Sequence, residues 1–113
     1  MKSDKKVSVL FVCMGNICRS PTGEGVFQYH VDKQGYSEQI EVDSAGTIAY
    51  HAGEAADARM RTAANKRGYQ LLSRARKIIE NDLETFDLIV PMDTDNLFDI
   101  ESMSNGSKSH IRL

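Results

Sequence analysis

The chain has 113 residues, of which 41% are hydrophobic and 27% charged, and its formal net charge is −2. These values are typical of a soluble globular protein and predict a single domain over residues 1–113, while the lack of a basic excess argues against a general nucleic-acid binder. No segment approaches the ~20 apolar residues that span a bilayer, and no signal-like apolar segment follows the charged residues 1–6. We therefore expect a cytoplasmic protein with neither a nucleic-acid nor a membrane partner.

The first apolar run, residues 7–12, predicts a buried parallel strand that ends at Cys13. Ser20 and Pro21 suit the first turn of a helix, the apolar residues that follow recur with helical spacing, and Gly35 marks the end of that helix. The sequence thus predicts a strand, a short loop and a helix in immediate succession.

The residues of this loop combine a nucleophile with groups that bind anions. Cys13 stands at the end of the strand, and Arg19 supplies a planar fork that matches two oxygens of a phosphate. The helix N-terminus adds the positive end of its dipole, and Ser20 is placed to donate a hydrogen bond to the thiolate. We expect the backbone N–H groups of the loop to complete a phosphate cradle; its residues are Met14, Gly15, Asn16, Ile17 and Cys18.

Other interpretations of the two cysteines have to be weighed. In a bare Cys-x5-Arg pattern, Cys13 would more simply be a buried small hydrophobe and Arg19 a solvated helix residue, but Gly15 and Asn16 in the loop favour the cradle. Cys18 is predicted to be a packing residue at the helix entry. Two cysteines form neither a disulfide framework nor a four-ligand zinc site, so we expect no metal.

Residues 39–43 predict a second strand that ends next to Ser44, whose hydroxyl either braces Asn16 or simply forms a turn. The loop 46–54 carries Tyr50 and His51, and a helix is predicted from Glu54 to about Lys66 with Asp57 in its first turn. Leu71 and Leu72 are predicted to be buried in the turn that follows.

A short helix is predicted around residues 74–81, with Ser73 as its N-cap. Its basic group, formed by Arg74, Arg76 and Lys77, is interpreted as a solvated helix face rather than as a site for an acidic partner. Residues 86–90 predict a third buried strand and residues 94–102 a helix, with Asp93 either capping that helix or ordering the cradle. Residues 103–109 are predicted to form a loop, and residues 110–113 the beginning of a fourth strand. Strands that alternate with helices indicate a parallel sheet whose carboxyl edge carries the Cys13 loop.

Residues 12–21, Val-Cys-Met-Gly-Asn-Ile-Cys-Arg-Ser-Pro, resemble the signature of the low-molecular-weight protein tyrosine phosphatases. The likeness covers nearly the whole chain. It continues through Glu24, Phe27, 43–47, 53–60, 75–76, 86–90 and 92–96.

The resemblance implies an α/β three-layer sandwich with a four-stranded parallel sheet in the order 2-1-3-4. It implies hydrolysis of phosphotyrosine in a protein or peptide substrate through a phosphocysteine intermediate, without a cofactor. Cys13, Arg19 and Ser20 would be catalytic, and Tyr50 would wall the substrate cleft unless it caps the core. In this family the second cysteine, here Cys18, can form a reversible disulfide with the nucleophile.

The sequence departs from this family in one respect. Its members carry a late Asp-Pro loop whose aspartate protonates the leaving phenol, and this sequence contains no Asp-Pro dipeptide. We therefore identify no general acid, and the spacing of Asp93, Asp95 and Asp99 does not support any of them in that role. We expect a C-terminally truncated domain with an incomplete fourth strand, no last helix, and a dimer through the uncovered sheet face.

Two alternatives remain open on the sequence alone. The missing acid suggests a module that binds phosphate or phosphotyrosine with weak or no turnover. An arsenate reductase shares the loop, but that chemistry uses further cysteines downstream and none follows Cys18.

Overall fold

The computed structural model describes residues 7–103 and 111–112, which form three strands and four helices in alternating blocks. In chain order these are β1 (Val7–Cys13), α1 (Arg19–Lys33), β2 (Ile40–Gly46), α2 (Ala58–Lys66), α3 (Glu80–Thr85), β3 (Leu88–Pro91) and α4 (Thr94–Met103). Within the described ranges, no helix is long and apolar enough to cross a membrane.

The three strands form a parallel sheet in the order β2-β1-β3, with β1 at its centre. Leu10 and Val12 belong to the main apolar cluster, which includes Ile100 of α4. Phe11 lies between them in sequence and packs edge-on against Phe27 of α1, with ring centroids 5.9 Å apart. Since neighbouring strand residues face opposite sides, helices cover the sheet on both faces. This confirms the predicted α/β fold with a parallel sheet flanked by helices.

The outer side of β3 carries one further contact. Ile111 forms a parallel bridge with Ile89, and the N–H of Arg112 donates to the Ile89 carbonyl at 2.9 Å. This is the side on which the order 2-1-3-4 puts a fourth strand, but one bridge is not a strand, so the four-stranded sheet stays a prediction. The predicted loop at 103–109 lies outside the described residues except for Met103, which ends α4.

The predicted helix over residues 74–81 is wrong. Arg74 forms an antiparallel bridge with Ala55, and Lys77 forms a parallel bridge with Gly46 at the end of β2. Backbone partners on neighbouring segments thus keep residues 74–79 extended, and α3 begins only at Glu80. The expectation that Leu72 is buried is also wrong, since 82% of its surface is exposed.

The helix predicted from Glu54 begins later, at Ala58. Asp57 is its N-cap rather than a residue of the first turn, and the Asp57 carboxylate accepts a hydrogen bond from the N–H of Met60. A cap carboxylate satisfies an N–H group that has no partner inside the helix. This start brings the N-terminus of α2 next to the loop after β1.

Candidate active site

The loop between β1 and α1 turns its carbonyl groups toward neighbouring segments. Three carbonyls accept backbone hydrogen bonds from other segments: Cys13, at the end of β1, from Thr47 (2.9 Å), Met14 from Ile48 (3.1 Å) and Ile17 from Asp57 (2.6 Å). In a trans peptide the N–H points away from the carbonyl of the same unit, so the N–H groups of residues 14, 15 and 18 point to the other side. Within the described ranges, the amides of residues 14–18 donate to no other protein atom, which leaves them available to an anion.

The backbone of the loop depends on two close fits. Asn16 has a φ of 59°, in the left-handed region that asparagine tolerates better than most residues. Gly46, at the end of β2, lies directly under the loop, where a Cβ would stand 2.7 Å from the Met14 carbonyl oxygen and 3.1 Å from the Gly15 carbonyl carbon. Only glycine permits so close an approach of the two backbones.

The side chain of Asn16 is the centre of a buried polar network, with 1% of the residue exposed. Its Oδ1 accepts the backbone N–H of Arg76 at 2.9 Å, which fixes the orientation of the amide. The Nδ2 group then faces Ser20 Oγ at 2.8 Å and Ser44 Oγ at 3.0 Å. Of the two interpretations of Ser44, the contact with Asn16 is present in the structure.

These contacts continue through the hydroxyl groups of the two serines. Ser20 Oγ accepts from Asn16 and lies 3.0 Å from the sulfur of Cys13 and 3.5 Å from the Ala45 carbonyl. Either atom can be the donor in the contact between Ser20 and Cys13, but a Cys13 thiolate could only accept, so its hydrogen bond would come from Ser20. On the other branch, Ser44 Oγ donates to Glu24 Oε1 at 2.6 Å.

Glu24 is a site residue that the sequence analysis mentioned only as part of the family likeness. Burial raises the pKa of its carboxyl group, and Asp43 raises it further, while hydrogen bonds from Ser44 and Ser73 and the charge of Arg76 act in the opposite direction. Burial of a carboxylate stabilises the protonated form, and hydrogen bonds to it stabilise the charged form. No spacing signal identifies Glu24, since its contacts join α1 to the ends of other elements.

Arg19 begins α1, and its guanidinium extends to the loop after β3. Nη1 donates to Asp93 Oδ2 at 2.8 Å, with both side chains substantially exposed. Asp93 Oδ1 accepts the N–H of Asn96 at 2.8 Å at the start of α4. Asp93 therefore makes a contact that fits each of the two roles considered for it, as a helix cap and as a partner of the loop. The Asn96 hydrogen bond, and then Arg19, lower the pKa of the Asp93 carboxyl.

Arg76 is not part of a solvated helix face, and that expectation is wrong. Its guanidinium bonds both oxygens of the buried Asp82, at 2.9 and 3.2 Å, and also Asp43 at 3.1 Å. These ion pairs fix the extended segment whose backbone N–H holds Asn16. This role of Arg76 was not predicted because residues 74–81 were expected to form a helix. An extended segment would have placed Arg76 beside β2.

Tyr50 lies in the loop after β2, and 81% of its surface is exposed, so it does not cap the core. Its ring contacts that of His51 at 4.7 Å. His51 packs over the loop, since a Cβ on Gly15 would be 3.1 Å from its Cδ2, and its Nδ1 lies 3.2 Å from Glu54 Oε1. No role at the site was predicted for His51.

Both cysteines are free thiols. Cys13 is buried and Cys18 is half-buried. The pKa of the Cys18 thiol is raised, first by its burial and then by the charges of Asp57 and Cys13. The disulfide between these cysteines stays a prediction.

Taken together, a parallel α/β sheet presents a cysteine in a loop of free amides, with an arginine at the start of the next helix. These features define a class of α/β protein whose loop can bind an anion next to a cysteine. The sequence pattern of the family described as low molecular weight phosphotyrosine protein phosphatase matches residues 8–113. The chain belongs to this family.

Individual relatives agree with that assignment. The human low molecular weight phosphotyrosine protein phosphatase is 45% identical over 102 residues, which are 90% of this chain and 65% of that protein. The protein of the same name from Schizosaccharomyces pombe is 40% identical over 111 residues, 96% of this chain and 71% of that protein. The chain thus spans about two thirds of the length of these relatives.

Solved structures of other proteins also have this fold. A protein tyrosine phosphatase from Entamoeba histolytica with Hepes in its active site superposes with a TM-score of 0.92 at 40% identity, over 95% of this chain and 69% of that chain. A Drosophila arginine phosphatase superposes with a TM-score of 0.85 at 33% identity, over 93% of this chain and 69% of that chain.

Proposed function

We propose that this chain hydrolyses phosphotyrosine in protein or peptide substrates through a phosphocysteine intermediate. The observation that carries the proposal is the loop after β1, in which Cys13 Sγ contacts the Ser20 hydroxyl at 3.0 Å. The amides of residues 14, 15 and 18 are turned away from the bonded carbonyls, toward the position an anion would take. The family assignment supports the same reaction.

In the proposed first step, the Cys13 thiolate attacks phosphorus in line with the ester oxygen. The S–P bond forms, the P–O bond to the aromatic ring breaks, and the phenolate leaves with a proton from solvent or from an acid. Arg19 and the loop amides neutralise the phosphoryl oxygens in the transition state, so the scheme uses no metal. Arg19 has to exchange its bond with Asp93 for bonds to phosphate during binding.

In the second step a water molecule attacks phosphorus, the S–P bond breaks, and inorganic phosphate leaves. The Ser20 hydroxyl, which Asn16 holds 3.0 Å from Cys13 Sγ, donates to the departing thiolate and stabilises it. Ser44 supports this arrangement through Asn16.

A phenyl ring needs an apolar entrance above the cradle. Tyr50, Met14 and Ile48 are exposed large apolar residues on the loop and on the segment bonded to it. We assign Tyr50 as the wall of the cleft that stacks on the substrate ring. The depth of such a cleft would favour the long phosphotyrosine over phosphoserine.

A second candidate function is phosphotyrosine binding with weak turnover, and the contacts of Asp93 favour it. The carboxylate of Asp93 is already bonded to Arg19 and to the N–H of Asn96. General acid–base help contributes about 10²–10⁴-fold, and its loss affects tyrosine more than a better leaving group.

Steady-state hydrolysis of phosphotyrosine beside p-nitrophenyl phosphate tests the proposal, with Cys13→Ser as the control. Turnover of both substrates that the substitution abolishes would support the phosphatase. Turnover of the nitrophenyl ester alone would show an intact cradle without an acid. No Cys13-dependent turnover of either would refute the enzyme, and phosphate affinity would then test the binding module. Phosphoarginine, and arsenate with a thiol reductant, serve as comparison substrates.

A further inference from the structure

The exposed side of α2 carries positive charge that the proposed reaction does not use. Residues 58–67 contain four cations and no acidic side chain, in a chain whose net charge is −2. Arg61 is engaged locally, since its Nε donates to the Ala56 carbonyl at 2.9 Å. Arg59, Lys66 and Arg67 are exposed and have no ion-pair partner among residues 7–103 and 111–112. These three cations are therefore available to an external anion.

Two adjoining hollows lie along the same part of the surface. One, of about 480 Å³, follows one face of α2 and is lined by Ala58, Arg59, Thr62, Ala63, Lys66 and Arg67. The other, of about 220 Å³, shares Ala63 and Arg67 with the first and extends to α1. Its further lining is mostly apolar: Thr22, Val26, Met60, Ala64 and Tyr69. We call the two together the α2 groove; it has a cationic rim and an apolar floor.

The α2 groove begins beside the phosphate cradle. The N–H of Asp57, the N-cap of α2, donates to the Ile17 carbonyl in the loop at 2.6 Å. On α1, the N–H of Thr22 donates to the Cys18 carbonyl at 3.2 Å. Arg59 is close enough to Cys18 to act on its thiol electrostatically. The N-terminus of α2 thus adjoins the carbonyl side of the loop, opposite its amides, so a segment that flanks a phosphotyrosine in the cradle would reach α2 past the edge of the loop.

We infer that the α2 groove binds an acidic segment next to the phosphotyrosine of a protein substrate. Acidic side chains pair with Arg59, Lys66 and Arg67, and an apolar side chain packs against Val26 and Met60. The inference rests on the proposed function, since phosphotyrosine in the cradle brings the flanking segment to α2. Charge complementarity selects this occupant, because a basic segment would meet three cations with no acid between them.

The α2 groove is expected to set a preference among substrates by charge rather than to bind a peptide tightly by itself. Ion pairs between exposed groups contribute at most a few-fold each to an affinity, so three cations predict a difference of about tenfold between acidic and basic peptides. Salt screens such pairs, so the difference should shrink at about 1 M salt, where the Debye length is ~3 Å.

Binding to Cys13→Ser, which cannot form the phosphocysteine, tests the inference without relying on turnover. The ligands are phosphotyrosine itself and three phosphotyrosyl peptides of equal length whose flanking residues are acidic, neutral or basic. The measured quantity is each peptide's affinity relative to phosphotyrosine on the same protein. We expect the acidic peptide to bind about tenfold more tightly than the basic one at low salt.

Two charge reversals locate the effect. Lys66→Glu should lower the relative affinity of the acidic peptide about threefold or more. Lys33→Glu makes the same change of charge at the far end of α1, ~20 Å along the helix from the cradle, and should leave the ratio nearly unchanged. An equal loss in both variants would mean a general charge effect and would overturn the assignment to the groove.

The remaining outcomes separate the inference from the proposed function. If phosphotyrosine binds but acidic and basic peptides bind equally, the inference fails and the proposed function stands. If phosphotyrosine does not bind at all, both fail. A salt-sensitive dimer in sedimentation that Lys66→Glu dissociates would assign the groove to the acidic surface of a second copy and would overturn the peptide assignment.

Discussion

Asn16→Ala removes the side chain that connects the loop to three other segments. It deletes the bonds to Ser20, Ser44 and the backbone N–H of Arg76. At about 1 kcal/mol net for each buried hydrogen bond, the loss is ~3 kcal/mol. Alanine at a φ of 59° adds about 1 kcal/mol, because the left-handed region is less accessible to it than to asparagine. We therefore expect the free energy of unfolding to fall by about 4 kcal/mol.

Asn96→Ala is the matched control, because Asn96 is also an asparagine and is almost as buried, at 3% exposure. Its Oδ1 has no hydrogen-bond partner in the part of the chain that the structure describes, and it lies in α4, where alanine is well tolerated. We expect Asn96→Ala to remain within about 1 kcal/mol of the unmodified protein.

Urea unfolding measures both variants, with the midpoint compared at constant slope. Inorganic phosphate added to the unmodified protein should raise the midpoint, because a ligand that binds only the folded state stabilises it. Asn16→Ala should lose most of this increase, since the amides that would hold phosphate are in the loop that Asn16 braces. If Asn16→Ala costs no more than Asn96→Ala, the hydrogen-bond network does not hold the loop and the reasoning is refuted.

Three further substitutions test other contacts of the site. Gly46→Ala puts a Cβ against the backbone of the loop, so it should lower the free energy of unfolding by about 1–3 kcal/mol and remove most of the phosphate affinity. Gly23→Ala on α1 puts a Cβ against the Phe11 ring and should lower the free energy of unfolding less in the same assay. Burial raises the pKa of Glu24, so the folded state binds that proton more tightly than the unfolded state. The unmodified protein should therefore lose stability relative to Glu24→Gln as the pH rises from ~4 to ~7. A constant difference in unfolding free energy across this range would contradict the assignment. Asp93→Asn can still cap α4 but no longer forms an ion pair with Arg19. It should therefore bind phosphate a few-fold more tightly, as measured by calorimetry. Weaker binding would refute the idea that Asp93 competes with phosphate for Arg19.

The fold was predictable where local patterns decide the structure. The apolar run before Cys13 and the helix after Ser20 follow from hydrophobic spacing and start signals, and both were predicted within a few residues. Residues 74–79 were not, because they are held extended by contacts with other segments, among them the bridges to Gly46 and Ala55 and the ion pairs of Arg76. The bridges join positions far apart in the sequence, and no local pattern records them.

The residues of the candidate site were likewise predictable where a local pattern contains them. The residues of the Cys13 loop are contiguous, so their spacing alone indicates an anion cradle, and the structure brings Asn16 and Ser44 together as one interpretation required. Glu24 and Arg76 were not predicted as parts of the site, because Glu24 is connected to it through Ser44 of β2 and Arg76 reaches it from the extended segment after α2.

These two residues act on opposite ends of the same network. The Arg76 N–H fixes the oxygen of the Asn16 amide, and Glu24 takes the hydrogen of Ser44, so the amide can only donate to the two serines. Ser20 Oγ, which accepts from the amide, keeps its own hydrogen for a Cys13 thiolate or for the Ala45 carbonyl. The network around the proposed nucleophile therefore depends on Arg76, which is remote from Cys13 in sequence, and on Glu24, one turn along α1 from Ser20, while the nucleophile itself is identified by its neighbours in the chain.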